Sequence, residues 1–289
     1  MKIGCHVSIA GGIWNAPKNA ADLGCEGFQM FSRSPQGGPA PKIDKEVIKK
    51  FKEEMEKWGQ ENCYIHAPYY INFASANEAT RKASVRVIRE ELERGSLIGA
   101  KCVMTHLGSS TSLTASSSKI YSQNEVLDIV ASGVHAIMKD YEGSTEFLLE
   151  ISAGAGNVIG DTFEELEYII KNAEEGLPAG RQVGACLDTA HMFASGYDIK
   201  TGEGFDSTIK ALQESIGPEK VKVIHANDSM VGLNERKDRH DHIGDGKIGK
   251  EGFESIMKVF PNIDFVLETK HDKIKEDILI LKAIRKRLF

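Results

Sequence analysis

The sequence predicts an α/β protein with the (β/α)8 TIM-barrel fold. Short apolar runs alternate eight times with segments of helical periodicity, and no linker interrupts the series. The 289 residues suit one such barrel, which typically takes about 250 residues as a single domain. We therefore expect residues 1–289 to form one domain. Six of the apolar runs end in His, Asp or Glu, which predicts a metal site at the C-terminal face of the strands.

The eight predicted strands are short, apolar and bounded by turn residues. They lie near residues 2–7, 27–32, 62–66, 102–106, 146–151, 184–188, 221–225 and 264–268. In a parallel barrel the C-terminal ends of all these strands meet on one face, where barrel active sites are built.

Helical spacing of apolar residues fills the intervals between the strands, most clearly over residues 77–97 and 125–138. Asp161 or Thr162 would cap the helix that follows the fifth strand, because both side chains can accept hydrogen bonds from a helix N-terminus. The last helix, near residues 274–287, is predicted to cover the bottom of the barrel.

Three loops on the C-terminal face stand out by composition or length. Residues 34–41 are rich in Gly and Pro, residues 109–118 are almost all Ser and Thr, and the segment 227–249 is long and polar. The stretch 176–182 precedes a strand and therefore falls on the opposite face, where we assign it no function.

Composition excludes a membrane protein and predicts a cytoplasmic one. No apolar run approaches the roughly 20 residues of a spanning helix, and the N-terminus reads as a strand with no apolar signal region. The five cysteines are odd in number and lack C-x-x-C spacing, which favours reduced, buried thiols. The net charge of −6 is unfavourable for nucleic-acid binding, although bound divalent ions would offset it.

The six residues that close the apolar runs are all potential metal ligands: His66, His106, Glu150, Asp188, His225 and Glu268. Converging on one face, they would repel or desolvate one another unless positive charge lay between them. His191 follows Asp188 by one helical turn, and Asp238 and His240 flank Arg239. Imidazoles mixed with carboxylates suit zinc or another first-row divalent metal, and nine ligands suit two or three ions.

Each of these residues taken alone has a simpler structural interpretation. A lone strand-end His is more often a hydrogen-bonded rim residue, and Asp238 and His240 lie in a charged run that is typical of a solvated loop. His135, His242 and His271 are interpreted as surface residues. The coincidence at six strand ends nevertheless favours a metal site.

Four motifs resemble those of the endonuclease IV family of apurinic/apyrimidinic (AP) endonucleases, in order and at similar separations. They are Gly4-Cys5-His6-Val7-Ser8-Ile9-Ala10-Gly11-Gly12, Asp188-Thr189-Ala190-His191, His225-Ala226-Asn227-Asp228 and Asp238-Arg239-His240. The similarity runs from Met1 to about Thr269. It implies a TIM barrel that carries three zinc ions, with Mn2+ a candidate for one of the sites.

By the family pattern, the first ion is held by His66, His106 and Glu150. The second shares Glu150 and adds Asp188, His225 and Glu268, whereas the third takes His191, Asp238 and His240. The resemblance thus makes Glu150 a bridging ligand and the residue to which we assign a catalytic role.

The resemblance also implies a substrate and a reaction. A monomer would bind double-stranded DNA at an abasic site and hydrolyse the phosphodiester on its 5′ side, leaving a 3′-hydroxyl and a 5′-deoxyribose phosphate, in base excision repair. Tyr69 matches a DNA-contacting position, and Gln36 stands where the family often places an Arg. The loops depart from the family elsewhere, with Ile151-Ser152 in place of Asn-Thr and Lys270 in place of Pro.

Two other functions remain open at this point. A metal-dependent sugar isomerase or epimerase of the xylose-isomerase-like barrels would use Glu150, Asp188, His225 and Glu268, but it has no use for Asp238 and His240 as ligands. A metal-bound DNA-binding protein without activity is also compatible with the altered loops. Incision of an abasic duplex distinguishes the three.

Overall fold

The computed structural model describes residues 1–116 and 121–289, and its helices and strands alternate as the sequence predicts. The strands are β1 (Ile3–His6), β2 (Gly27–Met30), β3 (Asn62–His66), β4 (Cys102–Thr105), β5 (Glu146–Glu150), β6 (Val183–Asp188), β7 (Val221–His225), β8 (Asp228–Ser229), β9 (His240–Asp241) and β10 (Asp264–Leu267). The helices are α1 (Ala16–Leu23), α2 (Lys45–Lys57), α3 (Glu78–Ile98), α4 (Thr111–Ser116), α5 (Gln123–Met138), α6 (Phe163–Glu174), α7 (Thr189–Ser195), α8 (Gly202–Glu214), α9 (Gly249–Val259) and α10 (Ile274–Leu288).

Eight parallel strands close into a barrel in the order β1-β10-β7-β6-β5-β4-β3-β2, which confirms the predicted fold. Cys5 of β1 lies opposite Leu267 of β10 on one side and Phe28 of β2 on the other, so this strand closes the sheet. The barrel interior is filled by side chains and is not a pore. The buried cluster inside it consists of Tyr64, Cys102, Met104, Leu148, Cys186, Val223 and Val266.

The helix boundaries follow the capping residues. Asn77 accepts a hydrogen bond from the Ala79 N–H at the start of α3. Thr162 caps α6 by accepting from the Glu165 N–H at 3.1 Å, which decides between the two cap residues that the sequence allows.

The prediction for the last helix is wrong in its location. Helix α10 does not cover the barrel bottom but packs beside β1, β10 and α9 as the last member of the outer ring. Its C-terminal turn reaches the bottom, where Arg285 donates to the Met1 carbonyl at 2.9 Å and to both carboxylate oxygens of Glu26. Its N-terminal turn therefore lies at the C-terminal face of the barrel. The helix is amphipathic, and its apolar face is buried against the neighbouring strands β1 and β10.

Two of the predicted loops contain secondary structure. The Ser/Thr-rich segment after β4 forms the short helix α4, while Ser117 and Ser118 lie outside the described residues. The segment 227–249, here called the ligand loop, contains the two-residue antiparallel pair β8–β9, in which Ser229 lies opposite His240. This pairing brings both ends of the loop back toward the barrel.

All five cysteines lie in the described part of the chain and are buried free thiols, as the sequence predicts. Among the described residues, no helix has the length and apolar character needed to cross a membrane.

A buried ion pair joins the loop after β2 to α3. The Glu91 side chain is fully buried, pairs with Arg33 and accepts a hydrogen bond from Ser32 at 2.6 Å. Replacing Glu91 by Ala should lower the free energy of unfolding by about 3–5 kcal/mol, because breaking a buried ion pair is costly and the buried Arg33 keeps only Glu90, whose side chain is 45% exposed, as a charge partner. Urea unfolding measures the loss.

Glu93 on the same helix provides the control for this prediction. It pairs with Arg89 in an exposed i,i+4 arrangement, so Glu93→Ala should cost less than about 1 kcal/mol. Equal losses in the two variants would contradict the assigned role of the buried pair.

Candidate metal centre

The barrel brings all six strand-end ligands to its C-terminal face. Strands β3, β5, β6 and β7 each end at a ligand, and His106 and Glu268 directly follow β4 and β10. The ligand atoms form three groups, and within each group they lie within 4.8 Å of one another. The groups are His66, His106 and Glu150; Glu150, Asp188, His225 and Glu268; and Asp188, His191 and His240.

The first group surrounds one oxygen of Glu150. The His66 Nε2 lies 3.0 Å from Glu150 Oε2, and the His106 Nε2 lies 3.6 Å from the same oxygen. The His66 ring is oriented by its other nitrogen, because Nδ1 donates to the Ala67 carbonyl at 2.7 Å. A backbone carbonyl in this role fixes both the tautomer and the direction of a ligating imidazole.

The second group surrounds the other oxygen of Glu150. The His225 Nδ1 lies 2.8 Å from Glu150 Oε1 and 3.4 Å from an oxygen of Glu268. Gln29 holds both partners: its Oε1 accepts from His225 Nε2 at 2.7 Å, and its Nε2 donates to Glu268 at 2.6 Å. Since the two oxygens of Glu150 face different groups, this carboxylate has the geometry of a bridge.

The third group combines the start of α7 with the ligand loop. Asp188 caps this helix by accepting from the His191 N–H at 2.8 Å, which places both side chains on one side, as the sequence predicts. The His191 Nε2 lies 3.3 Å from both Asp238 Oδ1 and His240 Nε2. The distance from His240 Nε2 to Asp238 Oδ1 is 3.4 Å, so Asp238 also belongs to this group.

The chemistry of these atoms fits divalent metal ions. His66, His191 and His225 each direct one ring nitrogen at an oxygen that can only accept, namely Ala67 O, Ile151 O and Gln29 Oε1. When these three rings are neutral, the second nitrogen of each ring therefore carries an accepting lone pair. Each of these lone pairs faces a carboxylate oxygen or another imidazole nitrogen. Buried acceptors that face one another require positive charge between them.

The pKa shifts of Glu150 and His191 also indicate that this site favours positive charge. Burial alone would raise the pKa of Glu150, but the nearby His106 and His225 hold it well below its usual range. Burial acts to lower the pKa of His191, yet Asp188 and Asp238 raise it to about 10. The ionised carboxylates thus raise the pKa of His66, His191 and His225 and favour positive charge on these rings, whereas burial lowers the pKa of His106. Protons and metal ions compete for the same nitrogens, so metal affinity should fall as the pH falls.

A cleft of about 490 Å³ opens over the three groups. Tyr69 stands at its rim with 70% of its surface exposed, and its ring centroid lies 5.2 Å from that of Phe31. Gln36 is exposed on the adjacent loop, whose Pro35 carbonyl accepts from the Tyr69 N–H at 3.2 Å. The structure therefore brings Tyr69 to the site and places Gln36 on the loop beside it.

Sequence reasoning missed two buried amides that hold the ligands. Besides Gln29, Asn227 donates to Asp188 Oδ2 at 2.6 Å and accepts from the Glu268 N–H at 2.8 Å. Gln29 had a detectable signal, because it is the polar residue inside the apolar strand Gly27–Met30. Asn227 belongs to the motif His225-Ala226-Asn227-Asp228, but nothing in that motif marks its side chain as a partner of Asp188 and Glu268.

A closed parallel barrel with three contiguous ligand groups on its C-terminal face defines a metal-binding TIM barrel. The family model described as xylose isomerase-like TIM barrel matches residues 17–285. Proteins called probable endonuclease 4 are similar over nearly the whole chain. The one from Cenarchaeum symbiosum is 35% identical over 99% of both proteins, and the one from Aquifex aeolicus is 39% identical over 92% of this chain and 90% of its own length.

Solved structures agree with this similarity. Endonuclease IV from Thermus thermophilus has a TM-score of 0.82 and 30% identity, covering 100% of this chain and 99% of its own. The chain belongs to the endonuclease IV family of the xylose isomerase-like TIM barrels. A D-tagatose 3-epimerase-like protein has a TM-score of 0.74 at 22% identity and covers 100% of both chains, which shows the shared fold alone.

Proposed function

We propose that this protein is a zinc-dependent endonuclease that cuts double-stranded DNA at apurinic/apyrimidinic sites in base excision repair. It hydrolyses the phosphodiester 5′ to the lesion and leaves a 3′-hydroxyl and a 5′-deoxyribose phosphate. The proposal treats residues 1–289 as one domain that works as a monomer in the cytoplasm. The observation that carries it is the third ligand group, in which Asp238 and His240 join His191.

The ligand set supports zinc and three ions. Five of the nine ligands are imidazoles, a nitrogen-rich mixture that suits zinc better than magnesium. His66, His106 and Glu150 would hold one ion. Glu150, Asp188, His225 and Glu268 would hold a second, and His191, Asp238 and His240 a third. Bound divalent ions act as Lewis acids on a phosphodiester and lower the pKa of an attacking water.

The protein's own residues place the substrate and keep the ligands rigid. Glu150 spans two groups and so fixes their spacing. The exposed ring of Tyr69 offers a flat surface at the cleft rim for stacking on DNA, where a nucleotide without a base partner is turned out most cheaply. Arg239 and Lys270 line the cleft and counter the acidic balance of the chain where a phosphate would lie.

The sugar epimerase is the second candidate, favoured only by the shared barrel and by the group of Glu150, Asp188, His225 and Glu268. Such an enzyme has no use for a further ligand pair on the ligand loop. The convergence of Asp238 on His191 and His240 therefore favours the endonuclease.

Incision of a synthetic duplex with one abasic site tests the proposal. We expect a single cut 5′ to the lesion, an extendable 3′-hydroxyl, and no cut in the matched duplex with an intact base. Prolonged chelation should abolish the activity and zinc should restore it. The basic side chains that line the cleft, Arg239 and Lys270, each carry a single charge and cannot replace a divalent ion. Binding without cutting would support the inactive DNA-binding protein.

Elemental analysis provides a second prediction. The purified protein should hold close to three divalent ions per chain, at least two of them zinc, given the three ligand groups. A folded preparation with one ion at full occupancy after zinc supplementation would support the epimerase instead.

A further inference from the structure

The ligand loop carries the most exposed metal ligand of the nine. The Asp238 side chain is 55% exposed, and His240 belongs to the two-residue strand β9. An isolated two-stranded ribbon is marginally stable in water. Something beyond the β8–β9 pair must therefore hold this loop at the distance from His191 that the third ligand group requires.

Asp228 holds one part of the loop by accepting from the Gly244 and Ile248 N–H groups, and a buried carboxylate on α10 holds the part that directly follows His240. Asp277 lies in the first turn of the helix, and its side chain is almost fully buried. Its Oδ1 accepts from the Ile243 N–H at 2.9 Å, and its Oδ2 accepts from His242 Nδ1 and from the Thr269 hydroxyl, both at 2.7 Å. His242, interpreted from the sequence as a surface residue, is therefore partly buried and bonded to Asp277.

The three donors belong to the two segments that supply ligands. His242 and Ile243 follow His240 by two and three residues, and Thr269 directly follows Glu268. The Asp277 carboxylate thus connects two segments. One is the ligand loop, which supplies His240 to the third group, and the other is the end of β10, which is followed by Glu268 of the second group. Outer-shell partners of this kind orient ligands, and their loss typically costs about 10–100-fold in metal affinity or activity.

We propose that Asp277 is a positioning residue for the third metal site, which it holds in register with the second by joining His242 and Thr269. This inference rests on the proposed function. It assigns Asp277 no contact with substrate or metal, since its side chain is bonded to His242, Ile243 and Thr269.

Asp277→Asn is the decisive variant. The amide oxygen can still accept from the Ile243 N–H, but its NH2 group cannot accept from the Thr269 hydroxyl or from a His242 that keeps its present tautomer. We expect one ion of the three to dissociate at about 10–100-fold lower chelator concentration than in the parent. Incision should fall with that ion and recover in excess zinc, while the other two ions remain.

Asp264→Asn is the matched control. Asp264 is also a buried Asp that accepts several hydrogen bonds, from the Lys2 N–H at 2.6 Å and from the side chains of Asn62 and Tyr64, but it lies at the bottom of the barrel. This variant should lower the melting temperature at least as much as Asp277→Asn while keeping all three ions under the same chelator. Zinc retention therefore separates a positioning role from a general loss of stability.

If Asp277→Asn does not fold, His242→Ala tests the same inference. It removes the hydrogen bond between His242 and Asp277 by changing a partly exposed residue. It should weaken the same ion. Parent-like chelator resistance in a folded Asp277→Asn or His242→Ala protein would overturn the inference. A parent protein that binds fewer than three ions or leaves abasic DNA uncut would instead overturn the proposed function.

Discussion

Glu150→Gln should reduce incision of abasic DNA by about 10³-fold, at the upper end of what removal of one preorganised electrostatic group costs. Glu150 is fully buried, and its two oxygens face His66 on one side and His225 on the other. The amide keeps the shape but loses the charge and offers one acceptor in place of two. It can therefore no longer face both ligand groups with an anionic oxygen.

DNA binding should persist in this variant, because Tyr69, Arg239 and Lys270 line the cleft independently of Glu150. Single-turnover incision measures the chemical step, and fluorescence anisotropy with the same duplex measures binding. Metal analysis should accompany both, since loss of a bridging carboxylate is expected to weaken at least one ion.

Glu146→Gln is the control on the same strand. Glu146 begins β5 at the opposite end of the barrel and is exposed, so its variant should cut at the parent rate. Near-parent incision by Glu150→Gln would mean that Glu150 does not join the two groups, and the assignment of both would be wrong.

Seven of the nine candidate ligands could be located from the sequence, because each of them coincides with a local signal. A strand end is visible as the last residue of an apolar run, and a barrel brings all such ends together, so six ligands follow from one-dimensional pattern and topology. His191 follows from helical spacing after Asp188, and the structure confirms that placement.

The residues that hold the ligands could not be predicted in this way. Gln29 contacts His225 and Glu268 across 196 and 239 residues of sequence, and Asp277 contacts His242 across 35. Such contacts depend on strand order and helix position, which no local pattern encodes. The location of α10 escaped prediction for the same reason, because its amphipathic pattern reveals a buried face but not what covers it.

His240→Ala should slow incision by about 10²–10³-fold while the protein melts near the parent temperature. The sequence alone would lead one to expect no effect, because His240 lies in a polar run and surface substitutions usually change stability by less than about 0.5 kcal/mol. His240, however, places its Nε2 3.3 Å from the His191 Nε2 and 3.4 Å from Asp238, so its loss leaves only two of the three ligands that we propose for the third ion. The oxygen that leaves a phosphodiester carries much of a negative charge, and losing one stabilising charge beside it typically costs this factor of about 10²–10³.

The comparison that tests this expectation is made at trace zinc and again in excess zinc. Excess zinc should restore part of the rate, because the remaining His191 and Asp238 still bind weakly. His135→Ala is the control: His135 lies on the outer helix α5, bonded to the Ala173 carbonyl, and its loss should leave incision unchanged at both zinc levels. Parent-like incision by His240→Ala at trace zinc would remove the third ligand group from the reaction and leave Asp238 and His240 as parts of a solvated loop.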